Sequence, residues 1–329
     1  MKAGKISESQ LKRSVLKQLH KDSLLVAVGP MVGGDFAAVT MEENEMVVLS
    51  SNPVSGDSAK IGRRIVFEAL NDVVVSGAAP VGVLCSVLFP TVSNEAQLRE
   101  LMRDIDEAAA ACNTVVLGGH TEVTRAVKEP VVSLTGVGKV KKDRLVTAAM
   151  AEPGMDILLT NWIALEGTAI IAAEKENELL TRYSAPFIRQ AREFEEYLSV
   201  VTEAAVAVNA GVAAMHNVSQ GGIFGALWEM AQASGIGLEI DLKKIPVRQE
   251  TIEICEYFDV NPYKLLSGGA ILMAAKDGNR VVRMMEQAGK KATIIGKATE
   301  GNDRVLLYDD ERRFLETPQT DELLSVFSE

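Results

Sequence analysis

The stretch NDVVVSGAAPVGV, residues 71–83, packs a helix end, a turn and the start of a strand into one short run. Upstream of it Ile61, Ile65, Ala69 and Val73 recur every four residues, which predicts a helix over Ser58–Ser76. Gly77 can end that helix, and Pro80 keeps it from resuming. Val81–Phe89 then reads as a strand. Helix and strand thus follow one another without a long linker.

The same mixture continues in both directions. Leu11, Val15 and Leu19 stand at helical spacing, and Leu24–Val28, Phe36–Thr40 and Met46–Ser51 are β-rich. Ser93 is a candidate N-cap for a helix carrying Leu98, Leu101, Met102, Ile105 and Ala109. Thr114–Leu117 and Val131–Val140 are strand-like. The turn Ala151-Glu152-Pro153-Gly154 marks a fresh start, so two domains are expected, 1–150 and 151–329. The second half predicts strands at Asp156–Thr160, Ile236–Asp241, Gly269–Ala275, Ala292–Ala298 and Arg304–Tyr308. It predicts helices after Gly222, over Asn279–Gln287, and along a stripe of Phe194, Leu198, Val201, Ala205 and Val208. Strict βαβ alternation is missing, so the fold class expected is mixed α/β (α+β), with sandwich-like domains.

Composition narrows the function. A chain of 329 residues exceeds what one core usually serves, and 47% apolar with 24% charged residues is an ordinary globular balance. The net charge of −11 repels a polyanion, and the densest basic run (Lys139, Lys141, Lys142, Arg144) is short, so no nucleic-acid partner is expected. The three cysteines, Cys85, Cys112 and Cys255, form no CxxC pair, which argues against a disulfide framework or a zinc site. No signal-peptide core and no apolar run of membrane-spanning length occur, so a cytoplasmic protein without a membrane partner is expected.

Four polar segments hold the residues that can carry chemistry. In Val32-Gly33-Gly34-Asp35 the glycines let backbone N–H groups approach an anion while Asp35 holds a divalent cation; a plain hairpin has the same pattern. Asp72 follows Asn71 near the end of an apolar helix, where a carboxylate opposes the helix dipole. A metal or cation would compensate, unless the position is merely exposed. Leu117 leads into Gly118-Gly119-His120-Thr121-Glu122. His120 and Glu122 are candidate metal ligands there and Thr121 a phosphate contact, against the alternative of a polar turn with a capping Thr. His216-Asn217-Val218-Ser219-Gln220-Gly221-Gly222 runs into a helix, which makes either an anion site or a helix capped by Ser219. No Walker-A loop, dinucleotide fingerprint or nucleophile elbow is present.

Taken in order, these blocks resemble the AIR-synthase-related (PurM-like) superfamily. The resemblance is carried by GGDFAAV (33–39), NDVVVSGAAPVGV (71–83), LGGHTEV (117–123), PGMDILLTNWIALEG (153–167) and HNVSQGGIFGALWEMAQASGIGLEID (216–241). The run IPVRQETIEICEYFDVNPYKLLSGGAIL (245–272) is especially like the HypE type of hydrogenase maturation factor.

The resemblance implies an N-terminal domain that dimerises through its strands and a C-terminal α/β domain. It implies ATP with Mg2+ held between the halves, and γ-phosphoryl transfer to an amide-type or carboxyl-type oxygen of a small acceptor. Carried over, Asp35, Asp72 and Glu122 are metal ligands, and Asp72 and His120 the catalytic residues. Asn52, Asn71, Gly118, Gly119, Thr121 and Glu122 surround the nucleotide, with Lys60, Ser219, Gly221 and Gly222 as further contacts. A homodimer and a maturation-protein partner are implied as well. The chain departs from the family pattern at Phe36, Asn52 and His120, where acids are common, which lowers the charge available for a second ion. No cysteine follows Cys255, so the terminal thiocarboxamide-carrier chemistry of HypE is not expected in its usual form. A non-catalytic nucleotide-binding dimeric module in metallo-enzyme maturation is therefore the second reading.

Overall fold

The structure is a computed structural model, and it describes residues 4–5, 10–19, 26–28, 38–39, 44–56, 61–318 and 320–327. Asp35, the Gly33-Gly34 pair and Lys60 lie outside the described residues. The chain divides into two compact units, Met1–Val74 with Ala78–Leu145, and Val75–Gly77 with Val146–Glu329.

The first unit is built on a five-stranded sheet. Its strands are β1 (Gly4–Lys5), β4 (Glu45–Ser55), β5 (Ala79–Pro90), β6 (Val115–Thr124) and β7 (Val131–Lys141), in the order β1-β6-β5-β7-β4. Two short strands, β2 (Val26–Val28) and β3 (Ala38–Val39), pair separately. β5 runs parallel to β6 and antiparallel to β7. Helix α1 (Ile61–Val74) buries Ile61, Ile65, Ala69 and Val73, the stripe predicted by their spacing, with Leu70 buried beside them. Two glycines of β7 admit it closely: a Cβ on Gly136 would lie 2.5 Å from Ala69 O, and one on Gly138 2.4 Å from Val73 Cγ1.

Helix α2 (Glu95–Ala111) is capped by Asn94 rather than Ser93. The Asn94 side chain accepts from Gln97 N, and the Gln97 side chain accepts from Asn94 N, a reciprocal capping box. Ser93 is buried just before it.

The second unit holds a seven-stranded sheet of β8 (Asp156–Thr160), β9 (Ala214–Val218), β10 (Gly237–Asp241), β11 (Ala270–Ala275), β12 (Ala292–Thr299), β13 (Arg304–Tyr308) and β14 (Glu311–Phe314). Their order is β14-β13-β10-β12-β8-β11-β9, and only the β10–β13 pair is parallel. All six residues of β11 are buried, as a strand covered on both faces requires. The helices are α3 (Leu165–Glu174), α4 (Glu176–Leu179), α5 (Ala185–Arg192), α6 (Val201–Ala210), α7 (Gly222–Ser234), α8 (Gln249–Tyr257), α9 (Gly278–Gln287) and α10 (Leu323–Phe327).

One predicted stripe does not hold. Glu193–Tyr197 is a 3-10 turn, and α6 begins only at Val201. The face α6 buries is Glu203, Ala204, Ala207 and Ala210, not Val201, Ala205 and Val208. The reason is a buried carboxylate paired with a half-buried lysine. Glu203 Oε1 lies 2.9 Å from Lys290 Nζ and accepts from Asn161 Nδ2 at 3.3 Å, so the helix turns this acid inward.

No helix among the described residues is long and apolar enough to cross a membrane.

Candidate functional site

In the first unit the site residues are placed by α1 and β4. Arg64, Glu68 and Asp72 recur every four residues and so share one stripe of α1. Ser50 and Asn52 stand on the half-buried side of β4, where burial alternates residue by residue. Ser50 Oγ donates to Asp72 Oδ2 at 2.9 Å, and Asn52 Nδ2 donates to the same oxygen at 2.8 Å. These two donors answer the charge problem that the helix C-terminus poses for Asp72. Asn52 lies in the middle of β4, not at a strand end. Asn71 is buried beside Asp72.

Glu68 is the functional candidate that sequence reasoning passed over. Burial, and then the neighbouring Asp72 charge, push its carboxyl up from the ordinary 4.5 to about 7, with the Arg64 guanidinium partly opposing them. It is thus a carboxyl that gives and takes a proton near neutral pH. The available signal was an acid one turn ahead of Asp72 in an otherwise apolar helix.

The GGHTE segment is not a turn. It lies inside β6, which runs on to Thr124. Gly118 and Gly119 have φ of +152° and +148°, and a Cβ on Gly119 would sit 1.8 Å from Cys85 O on β5. Close approach of the neighbouring strand is what demands glycine here. Alternation along β6 then splits the motif. Thr121 and Val123 are buried, whereas His120 is exposed and Glu122 half-exposed. His120 Nε2 and Glu122 Oε2 lie 3.5 Å apart.

β6 and β4 are separated by β5 and β7, three strand spacings or roughly 14 Å. Within one unit, therefore, the structure does not bring His120 and Glu122 to Asp72 and Asn52. Among the described residues no group of three or more His, Cys, Asp and Glu is gathered for a metal. The carboxylates of Glu68 and Asp72 are hard oxygen donors of the type magnesium takes, in the number it takes when phosphates supply further ligands.

The outer side of β4 carries Val47, Leu49, Ser51 and Pro53, all exposed, with Leu49 at 64%. Thr135 Oγ1 of β7 donates to Ser51 Oγ, so β7 continues this face. Exposed aliphatic residues on a sheet face are a candidate interface.

In the second unit the Ser219–Gly222 segment leads from β9 into α7. His216 and Asn217 belong to β9 itself, and Gly221, at φ +78°, takes the N-cap position in place of Ser219. The amides there have partners within the chain. Gly221 N donates to Asp321 Oδ2 at 2.6 Å. Gly222 N donates to Ser219 O at 3.1 Å, Phe224 N to Tyr263 O at 3.1 Å and Gly225 N to Gly221 O at 3.0 Å. His216 has an oxygen at each ring nitrogen, Asn217 O 2.5 Å from Nδ1 and Glu229 Oε2 3.1 Å from Nε2.

Known proteins resemble this chain along most of its length. A protein of Methanocaldococcus jannaschii, provisionally named for hydrogenase expression and formation, is 26% identical over 312 residues, covering 92% of this chain and 91% of that one. The carbamoyl dehydratase HypE of Cupriavidus necator is 26% identical over 279 residues, covering 82% and 77%. Among solved structures, the hydrogenase maturation protein HypE in complex with ATP superposes with a TM-score of 0.80 at 17% identity, covering 96% of each chain. The HypE–HypF complex gives 0.72 at 19% identity, covering 83% and 90%. The likeness in structure is one of fold, and it is the PurM-like fold with HypE-type architecture. The models of the AIR synthase related protein N-terminal and C-terminal domains match residues 31–140 and 152–309, and the chain belongs to the AIR synthase related family.

Proposed function

We propose that this chain is an ATP-dependent maturation factor that transfers the γ-phosphoryl group to an amide-type or carboxyl-type oxygen of its acceptor. The observation that carries the proposal is the pair Glu68 and Asp72, with Asp72 anchored by Ser50 and Asn52 and Glu68 titrating near neutral pH. Phosphoryl transfer depends on positioning and charge neutralisation. A carboxylate pinned by two donors serves the first, and a magnesium ion shared with the nucleotide phosphates serves the second.

In this reading Asp72 and Asp35 hold Mg2+; Glu122, three strand spacings from β4 in the same unit, can be a third candidate ligand only from a partner copy. Asn52, Asn71, Gly118, Gly119, Thr121 and Lys60 belong to the nucleotide site, with His120 toward the acceptor. Residues 1–150 bind the nucleotide and residues 151–329 complete the protein. Relatives named carbamoyl dehydratases favour a carboxamide acceptor: phosphorylating its oxygen makes that oxygen leave as phosphate, and the nitrogen loses two protons to give a nitrile. Glu68 is suited to take one of them. The HypE–HypF complex supports a second maturation protein as partner; a cytoplasmic location is part of the same reading.

A homodimer through the outer face of β4 and β7 would cover Val47 and Leu49. It would also put His120 near the boundary between copies, where a role in catalysis calls for the partner copy. Leu49→Glu should then shift the dimer to monomer in light scattering.

A second reading, a nucleotide-binding module without turnover, is favoured by Asn52 and His120 standing where acids are common. Calorimetry with Mg-ATP on the wild type and Asp72→Ala, followed by phosphate release with carbamoylated peptides, separates the two. Absence of ATP binding at millimolar nucleotide sinks the proposal, whereas binding without turnover on any acceptor leaves the module.

A further inference from the structure

On the inner side of β4 a hydroxyl is held against a carboxylate. Ser50 Oγ donates to Asp72 Oδ2 at 2.9 Å, and Asn52 Nδ2 donates to that same oxygen at 2.8 Å. Asn52 Nδ2 also reaches Ser50 Oγ, at 3.5 Å. A nucleophile within hydrogen-bond reach of a base, with the base oriented by a third group, is the arrangement that activates a hydroxyl for attack. Here Ser50 is the hydroxyl, Asp72 the base and Asn52 the orienting group.

The next hydroxyl along the strand has no such surroundings. Alternation along β4 leaves Ser51 exposed on the outer face, where its Oγ accepts from Thr135 Oγ1 at 3.0 Å. Ser50 is half-buried on the opposite face, where it meets α1 through Asp72. A hydroxyl has one proton and two lone pairs. The proton of Ser50 is committed to Asp72 and Asn52 approaches one lone pair, which leaves the other for an electrophile.

We propose that Ser50 is an autophosphorylation site, taking the γ-phosphoryl group of ATP when no acceptor is present. The proposal rests on the reading that the nucleotide phosphates lie at Asp72. Ser50 Oγ forms a bond to the γ-phosphorus as that phosphorus loses its bond to the bridging oxygen. ADP leaves with the electron pair of the broken bond, and the hydroxyl proton passes to Asp72 Oδ2. Only Oδ2 takes part, so this step and a metal ion on Asp72 do not compete for one oxygen. The product is a phosphate ester on β4, next to the carboxylate that made it.

Mass spectrometry of the full chain, starting unphosphorylated and incubated with Mg-ATP and no acceptor, tests this. The intact mass should rise by one phosphoryl group, and peptide sequencing should place that group on Ser50. The bond should survive hydroxylamine, as a phosphate ester does and an acyl phosphate does not. Ser50→Ala should abolish the labelling, Ser50→Thr should keep it, and Ser51→Ala should label as the wild type does. Because the phosphate is located in the wild type, the test does not depend on how well Ser50→Ala folds. Calorimetry with Mg-ATP on the same wild-type chain separates this inference from the reading beneath it. Absence of binding overturns both. Binding without label, a hydroxylamine-sensitive label on Asp72 or Glu68, or a label that persists in Ser50→Ala overturns the Ser50 site and leaves the nucleotide reading standing.

Discussion

Glu68→Gln should remove a pH dependence of stability that can be sized from the structure. The folded chain holds the Glu68 carboxyl at about 7 against an ordinary 4.5, so at 1.36 kcal/mol per pH unit ionising it in place costs about 3 kcal/mol more than in the unfolded chain. A raised value means that the folded state binds the proton more tightly. The advantage is full below 4.5, and it is lost as pH rises through 7. Between pH 5 and pH 8 the wild type should lose about 2.5 kcal/mol that Glu68→Gln keeps. Because Gln makes contacts of its own at this site, the quantity to compare is the change of the difference with pH, not the difference at one pH. Native-state amide exchange at α1 and β7 is the assay. Trp162 and Trp228 both lie in the second unit, so their fluorescence in urea reports that unit and serves as the control. A wild-type-to-variant difference that stays constant within about 0.5 kcal/mol from pH 5 to pH 8 refutes the reasoning. Asp72→Asn should shrink the pH effect by removing the charge that helps raise Glu68, and Arg64→Met should enlarge it.

Gly119→Ala should cost about 3 kcal/mol in chemical denaturation, because its Cβ would meet Cys85 O at 1.8 Å; a variant of unchanged stability that merely binds ATP less well would contradict the strand-packing role. Lys290→Met should cost about 3 kcal/mol by leaving the buried Glu203 carboxylate without its cation. Adding Glu203→Gln should recover more than half of that loss in urea titration. The carboxyl of Glu95 is held down to about 2 by hydrogen bonds from Arg13 and then Ser14. A depressed value stabilises the folded chain above the ordinary carboxylate range, and the contribution is lost as pH falls toward 2. In Arg13→Ala the Glu95 carboxyl should titrate at visibly higher pH, read from its 13C shift.

What was legible in the sequence, and what was not, follows from the range of the forces involved. Helix α1 was readable because a four-residue apolar spacing, a glycine and a proline are all local. Five of the seven strands of the second unit were readable too, and Asp156–Thr160 and Arg304–Tyr308 match residue for residue. The packing role of the glycine pairs was not readable, because its cause is not local. Gly119 is a glycine for the sake of a carbonyl on β5, and Gly221 sits at an amide claimed by Asp321, far along the chain. Nothing in GGHTE or SQGG distinguishes such a glycine from one that cradles phosphate. The candidate site adds a second obstacle. His120 and Thr121 are neighbours in sequence, and a strand sends neighbours to opposite faces. A motif that reads as one constellation is thus divided by the pleat, whereas Ser50, Asn52, Glu68 and Asp72, which never read as a motif, meet because a strand alternates every two residues and a helix returns every four. The site in this unit is therefore a product of two periodicities facing each other, and the mutations that test it belong on α1 and β4 before β6.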